Sequence, residues 1–542
     1  MRLSVCVKIK EEFIMMRKIF LAVLAVAAWA CASFASEIVY NLGADPRTID
    51  PALNNALDGA NVIVNIFDGL VRLGQDDKPE PACAESWKVS DDGMTWTFYL
   101  RDSLKWADGE PLTASQFKDG FLRAVNPETG SPYAYYGFFI KNAEAFYNGT
   151  AKSEDVGLSA PDDKTFVIQL EHKNPLMLEY MAFPLFLPSR MDIISESPRA
   201  WAARPDTLIS NGAFKLESWR HGDGGEMILV KNPHYWDAEN VKADRLRFVF
   251  INDENTSYAA FKAGRIDYMG NIPSQLLPML LQRGEAKSFP ALGTGYCDFN
   301  VTRKPFDDPR VRRAFTLAID RRIIVEKITR GGQKPATGFV CDAVPGTSDA
   351  KDFRDEGGAF LPERADIDEA RKLLAEAGYP DGKGFPKVSY KYNSNAGNKQ
   401  MAEALQGMWK QVLGVEVELL NEEWKVFIET RNRMDYDIAR DAWIMDFFDA
   451  GSILELCITG SAQNNTGYSN PKFDEAMRNA AGESDRVKRI NFMHEAEKIL
   501  MEDLPVAPIY FYTSAVLQSK RVTGIHRSPL GYVFFRNAEI AQ

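Results

Sequence analysis

The chain has 542 residues, more than one hydrophobic core holds, so two or three lobes are expected. With 45% apolar and 26% charged residues the composition is globular and excludes a disordered or fibrous chain. Acids outnumber bases by 75 to 64 and no stretch gathers Lys or Arg into a basic face, which argues against a nucleic-acid partner.

Met15-Met16-Arg17-Lys18 precedes an apolar run of 12 residues, Ile19 to Ala30, and then small residues up to Ser36. This order reads as a secretion signal over residues 1–35, cut after Ala35. The run is too short for a membrane span. Residues 1–14 fit poorly ahead of a signal, so Met15 or Met16 is an alternative start. Cys31 after Ala28-Trp29-Ala30 offers a second reading, a lipoprotein box, against which Trp29 and the lack of a leading Leu weigh. Cleavage removes five bases and two acids and takes the net charge from −11 to about −14. No later segment approaches about 18 apolar residues, so the exported protein is expected to be soluble, in the periplasm.

Ile38 to Leu42 reads as a first strand and Asp58 to Leu70 as an amphipathic helix. Thr95 to Leu100 alternates, with Trp96, Phe98 and Leu100 on one face. Thr113-Ala-Ser-Gln116 is a capping box that opens a helix carrying Phe117, Phe121 and Val125 on one stripe. Phe166 to Leu170 alternates again, so residues of about 70 to 190 form a mixed α+β unit. Ala213–Trp219 and Met227–Lys231 flank a Gly-rich turn as a hairpin. Leu246–Ile251, a short helix Ser257–Ala263 and a strand Ile266–Tyr268 follow.

Asp308-Pro309 starts a helix expected to run to Gly331-Gly332, and Asp366 starts another, with Ile367, Ala370, Leu374 and Ala377 inward and Gly378 closing it. Lys387–Tyr392 and Val415–Leu420 read as strands and Met401–Leu413 and Glu423–Thr430 as helices. Phe473–Ala480 and Arg486–Met501 are further helices, and Pro508–Tyr512 is a last, aromatic strand.

Asp435 to Asp449 packs Tyr436, Trp443, Phe447 and Phe448 among five acids and Arg440. Two readings stand. One is a strand ending in an acidic surface loop. The other is a site for a small zwitterion, with rings for walls, a carboxylate for an amine and a guanidinium for a carboxylate.

Four cysteines lie beyond the signal, Cys83, Cys297, Cys341 and Cys457, in no metal-site spacing; an exported protein could pair two of them. The five histidines are scattered, and no metal or other cofactor is expected. No nucleophile elbow, Walker loop or dinucleotide turn is present, so an enzyme is not expected. A peptidase using cleft carboxylates stays as a rival from another class, as does a chaperone or sensor subunit.

Several segments then fall into a family order. Val89-Ser-Asp-Asp-Gly-Met-Thr-Trp-Thr-Phe-Tyr-Leu-Arg101 and Lys105 to Ala114 resemble the marker region of the family 5 solute-binding proteins of ABC importers. Asn211-Gly-Ala-Phe-Lys-Leu, Lys231-Asn-Pro-His-Tyr-Trp-Asp237, Asp308 to Arg321 and Leu373 to Tyr379 resemble later landmarks, and the best match within the family is the periplasmic oligopeptide-binding proteins. The resemblance implies an α/β fold of the two-lobed, hinged periplasmic-binding-protein type with an extra α+β lobe. It implies a first lobe from residues 36–67, 191–292 and 514–542, an extra lobe at 68–190 and a second ligand-binding lobe at 293–513.

It also implies a monomer that captures oligopeptides, or else dipeptides or other small solutes, and delivers them to an inner-membrane ABC permease. Asp446 matches the carboxylate that grips the peptide amine. Ala442 and Ile444 match main-chain partners of the peptide backbone, and Trp443 a pocket wall. Arg440 and Arg431 match positions facing the ligand or its carboxylate; Tyr133, Tyr512 and Leu57 match further cleft contacts. Two departures stand out. Asn398 replaces a His that helps hold the peptide C-terminus, and Gly293 and Ile444 occupy the positions of a cysteine pair.

Overall fold

The computed structural model describes residues 36–348 and 350–541; the signal and lipoprotein readings lie outside the described residues. Two long strands, Ala286–Phe299 and Val506–Gln518, run antiparallel and carry one mixed sheet across both lobes. At one end they join Tyr268–Met269, and beyond it Glu37–Asn41, Arg245–Val249, Glu226–Lys231 and Phe214–Arg220. At the other end Ile438–Ile444 pairs with Ala286–Phe299, followed by Val388–Asn393 and Val417–Glu422.

The long pair changes register between Pro290 and Thr294 and again between Gly295 and Tyr296. Pro290 has no N–H for the ladder. Gly293 and Gly295 lie where the chains come closest: a Cβ on Gly293 would stand 2.5 Å from the Trp443 carbonyl oxygen, and one on Gly295 2.6 Å from the Tyr510 ring. Sequence periodicity missed the strand Ala286–Phe299 altogether, because Pro290, Gly293 and Gly295 interrupt the alternation a strand is recognised by.

The extra lobe is a four-stranded antiparallel sheet, Ala84–Val89, Thr95–Leu100, Thr165–Gln169 and Leu158–Asp162 in spatial order, covered by the helix Ala114–Val125. The capping box forms as expected: Gln116 Oε1 accepts from the Thr113 amide at 3.0 Å and also from Trp106 Nε1 at 3.0 Å. Phe98, Phe117, Phe121 and Phe166 are fully buried in this lobe. Asp50 ties it to the first lobe, accepting two bonds from Arg123 at 2.7 and 2.6 Å and one from Trp201 Nε1 at 2.9 Å. A buried guanidinium held by two parallel bonds fixes orientation as well as distance.

Several expectations are corrected. The helix from Asp308 ends at Leu317, because Asp320 caps a fresh turn through the Ile323 amide and Arg321 buries its guanidinium on main-chain carbonyls, including that of Pro508 at 2.8 Å. Ile367 is exposed, one residue after the cap Asp366, instead of facing the core. The first helix runs Leu57–Ile66, so it stops short of Leu70 and begins at Leu57 itself. Cys83, Cys297, Cys341 and Cys457 are all buried and free. No described helix is long and apolar enough to cross a membrane.

Candidate functional site

The strand Ile438–Ile444 builds the floor of the cleft. One edge pairs along its whole length with Gly293 to Phe299, whereas the other edge is paired only at Ile438 and Ala439, with Tyr390 and Lys391. From Arg440 onward that second edge opens on a cavity. Side chains alternate across a strand, so Arg440, Ala442 and Ile444, and Asp446 beyond the end, are half-buried and line the cavity, while Ala439, Asp441 and Met445 turn away. Trp443 is buried, yet its ring reaches the same cavity beside Tyr133, centroids 6.4 Å apart.

This central cavity has a volume of about 400 Å³. Two others adjoin it, of about 730 Å³ past Asp446 and about 500 Å³ past Arg440. Asp446 is shared with the first neighbour and Arg440 with the second, so an acid and a base mark the two ends of the central space.

Asp446 is held by aromatic hydroxyls. Tyr136 Oη donates to its Oδ2 at 2.9 Å and Tyr133 Oη to its Oδ1 at 3.4 Å, while the Asp446 amide donates to Ser452 Oγ at 2.6 Å. The two tyrosine rings stack with centroids 5.2 Å apart, and both pack edge-on to Phe183. Burial raises the Asp446 carboxyl to about 7, and the two phenols pull against that rise. Burial, reinforced by the Asp446 charge, pushes both phenols well above their usual range, so they stay as donors. An unpaired carboxylate in such a place has a free-energy cost that a ligand cation relieves.

At the other end Arg440 Nη2 meets Tyr512 Oη at 3.2 Å, and Tyr510 donates to Tyr512 at 3.1 Å. Asp441, next to Arg440, is ion-paired with Arg431 and also accepts from the Ala442 amide at 2.7 Å. Arg431 also lines the central cavity, but its guanidinium is buried and ion-paired with Asp441, which leaves Arg440 as the lining base without a carboxylate partner among the described residues. Ala442 likewise has its N–H taken by Asp441. Leu57, the first residue of its helix, closes against Gly531, where a Cβ would meet Leu57 Cδ2 at 2.7 Å. Asn398 donates to the Asn393 carbonyl and to Asn393 Oδ1 at 3.1 and 2.9 Å. Gly293 and Ile444, the two positions without cysteine, are direct cross-strand partners.

Two acids of the Asp435 to Asp449 stretch do not fit the acidic-surface-loop reading. Asp449 is buried and takes both arms of Arg489, the Nη2 bond being 2.8 Å; Asp437 accepts from the Ser389 amide at 2.9 Å. Tyr136, Ser452 and Tyr532 belong to the site and were not foreseen; the Tyr135-Tyr136 doublet, one residue beyond Tyr133, was the available signal.

Polar contacts close the cleft mouth. Lys425 Nζ reaches Asp45 Oδ2 at 2.9 Å, Trp424 Nε1 donates to Asp58 Oδ2 at 3.2 Å, and Asn252 Nδ2 donates to the Ser394 carbonyl at 3.0 Å. Each joins a segment of the first lobe, Asp45 and Asp58 early in the chain and Asn252 in its middle, to the second.

Two lobes crossed by a shared strand pair, closing on a cavity with an acid at one end and a base at the other, form a binding protein of the hinged solute-receptor class. Residues 78–465 match the model of the bacterial extracellular solute-binding proteins, family 5, middle region. The oligopeptide-binding protein OppA of Bacillus subtilis is 36% identical over 506 residues, 92% of this chain and 91% of that protein. The chain belongs to this family.

Among solved structures, Haemophilus influenzae OppA in complex with RPPGFSPFR superposes with a TM-score of 0.86 at 30% identity, covering 94% of this chain and 100% of that one. The unliganded open form of the murein tripeptide-binding protein MppA gives a TM-score of 0.62 at 33% identity, covering 94% and 98%. The likeness is greater to the peptide complex although the identity is lower, which together with the contacts across the mouth marks this arrangement as closed.

Proposed function

We propose that the protein is an extracytoplasmic receptor that captures oligopeptides between its lobes and delivers them to an ABC permease in the membrane. The observation that carries this is the pair Asp446 and Arg440, opposite charges without ionic partners among the described residues, at the two ends of one cavity along an unpaired strand edge. Asp446 receives the peptide ammonium, Arg440 its carboxylate, and the open edge of Arg440 to Ile444 its backbone, a recognition that ignores side-chain identity. At about 3.3 Å per residue that edge is about 13 Å long, which suits an extended ligand of about three to five residues. The adjoining cavities leave room for varied side chains and water.

Residues 36–67, 191–292 and 514–542 then act as one lobe and 293–513 as the other, moving about the register break of the long strands. The signal ahead of residue 36 places the receptor outside the cytoplasm, where it works as a monomer and performs no chemistry on its ligand.

Replacing Asp446 with Ala is expected to weaken peptide binding at least about tenfold by calorimetry, the scale of one charge-assisted bond. Unchanged affinity would sink the amine role. Peptides recovered intact after incubation separate a receptor from a peptidase.

A further inference from the structure

The cavity past Arg440 contains a second guanidinium that no motif singled out. Arg527 lies on the short ribbon formed by His526–Arg527 and Val533–Phe534. The ribbon is anchored by His526, whose Nε2 stands 3.0 Å from Asp77 Oδ1 and whose ring stacks on Phe534. Arg527 is half-buried and lines the 500 Å³ cavity together with Arg440.

The two bases come from opposite lobes. Arg440 rises from the floor strand of the second lobe. Arg527 stands beside Tyr40 and Tyr268 of the first, where burial raises both phenols and its charge opposes the rise. Neither guanidinium has a carboxylate within ion-pair distance among the described residues. Asp441 is committed to Arg431 and Asp77 to His526. The remaining acid in the lining, Glu254, belongs to the helix Glu254–Lys262 and is ion-paired with neither base, so two bases stand against one acid. The cavity therefore has a surplus of positive charge, and closure brings two like charges to face the same space, which is unfavourable until an anion enters.

We propose that Arg440 and Arg527 together form a site for a dicarboxylate end, so that the receptor selects peptides whose last residue is Asp or Glu. This rests on the peptide reading above. The α-carboxylate and the side-chain carboxylate of such a residue each take one guanidinium, in the fork geometry that arginine offers and lysine lacks. A ligand with a neutral last residue leaves one base unpaired, so selection works through a penalty as well as an attraction. Because the bases belong to different lobes, the dianionic end also bridges them and holds the closed form.

Calorimetry at pH 7.5 and low salt with the tetrapeptides Ala-Ala-Ala-Glu and Ala-Ala-Ala-Gln tests the proposal. The Glu-ended peptide is expected to bind at least about tenfold more tightly, by one additional charge-assisted pair. Arg527→Gln should reduce that preference to less than about twofold while leaving the Gln-ended peptide nearly unaffected, and Arg527→Lys should restore part of it. Equal affinities in the unaltered protein, or a preference that survives Arg527→Gln, overturns the proposal. Those results leave the peptide reading standing, since Asp446→Asn should still weaken both peptides alike. Failure of both peptides to bind at all overturns the two together.

Discussion

The two ends of the cleft are built from different materials. The Asp446 end is aromatic: two stacked tyrosines, with Phe183 and Trp443 beside them, flank one carboxylate, and both of its oxygens accept phenol hydrogen bonds. The Arg440 end is amide- and hydroxyl-rich, with Asn393, Asn395 and Asn398 near the boundary of the two cavities and tyrosine hydroxyls around the base. The difference teaches where such a receptor places its rigidity. Every peptide has the same ammonium, so one fixed carboxylate reads it. Carboxyl ends arrive at different distances, and on the proposed reading that end answers with adaptable polar groups and more than one cation.

Asp446→Ala tests the rigid end most directly. The pH dependence tests it next. Ligand-free Asp446 loses its proton near 7 and not in the usual carboxylate range, because burial opposes its charge. A protonated Asp446 cannot pair with an ammonium, whereas a peptide amine stays charged up to about pH 8. Affinity is therefore expected to rise about tenfold from pH 5.5 to 7.5, as one carboxyl ionises across that window, and Asp446→Asn should flatten the curve. A flat curve in the unaltered protein would show that the carboxyl titrates elsewhere.

The adaptable end should answer more gently. Arg440→Gln is expected to weaken a free tetrapeptide about fivefold, and its C-terminal amide hardly further, because Arg527 and the tyrosines remain. A loss as large as that of Asp446→Ala would erase the distinction between the ends. Tyr136→Phe removes one of two donors to Asp446 and should cost about threefold in affinity, with the midpoint of the pH curve moving upward as the carboxylate loses support.

The smallest effect concerns stability. A carboxyl whose folded pKa is raised binds its proton more strongly folded than unfolded, so stability is lost as pH climbs from the ordinary carboxylate range through 7. Ligand-free Asp446→Asn should then melt about 2 °C higher than the unaltered protein at pH 8 and level with it at pH 4. The same change would weaken binding, which is the sign of a residue retained for function against stability.

Much of this was readable from the chain and some was not, for identifiable reasons. The caps at Thr113, Asp308 and Asp366 and the alternation of Thr95–Leu100 are local signals, and local structure follows them. Asp446 stood out only through its match to the family's amine-binding carboxylate, since the rings and acids of Asp435 to Asp449 also allowed an acidic surface loop. Asp449 looked similar, but its fate depended on Arg489, 40 residues away. Arg431 and Arg440 were indistinguishable as bases; only the fold shows that Asp441 turns under the strand to the first and leaves the second. Arg527 had no sequence signal, since an unpaired charge is defined by what surrounds it in space.

The register break between Pro290 and Thr294 has a consequence for timing. Leu292, inside the break, accepts from the Met445 amide at 2.8 Å and donates to the Pro529 carbonyl at 2.9 Å. The wider of the two stretches where the long ladder is loosened is thus stitched to the residue directly before Asp446 and to the turn that precedes Tyr532. On the proposed reading, opening the lobes pulls on the same short piece of backbone that positions the ligand's ammonium. Release is then a single event in which the grip slackens as the doors part, and the dwell time of the cargo is written in main-chain hydrogen bonds around one leucine.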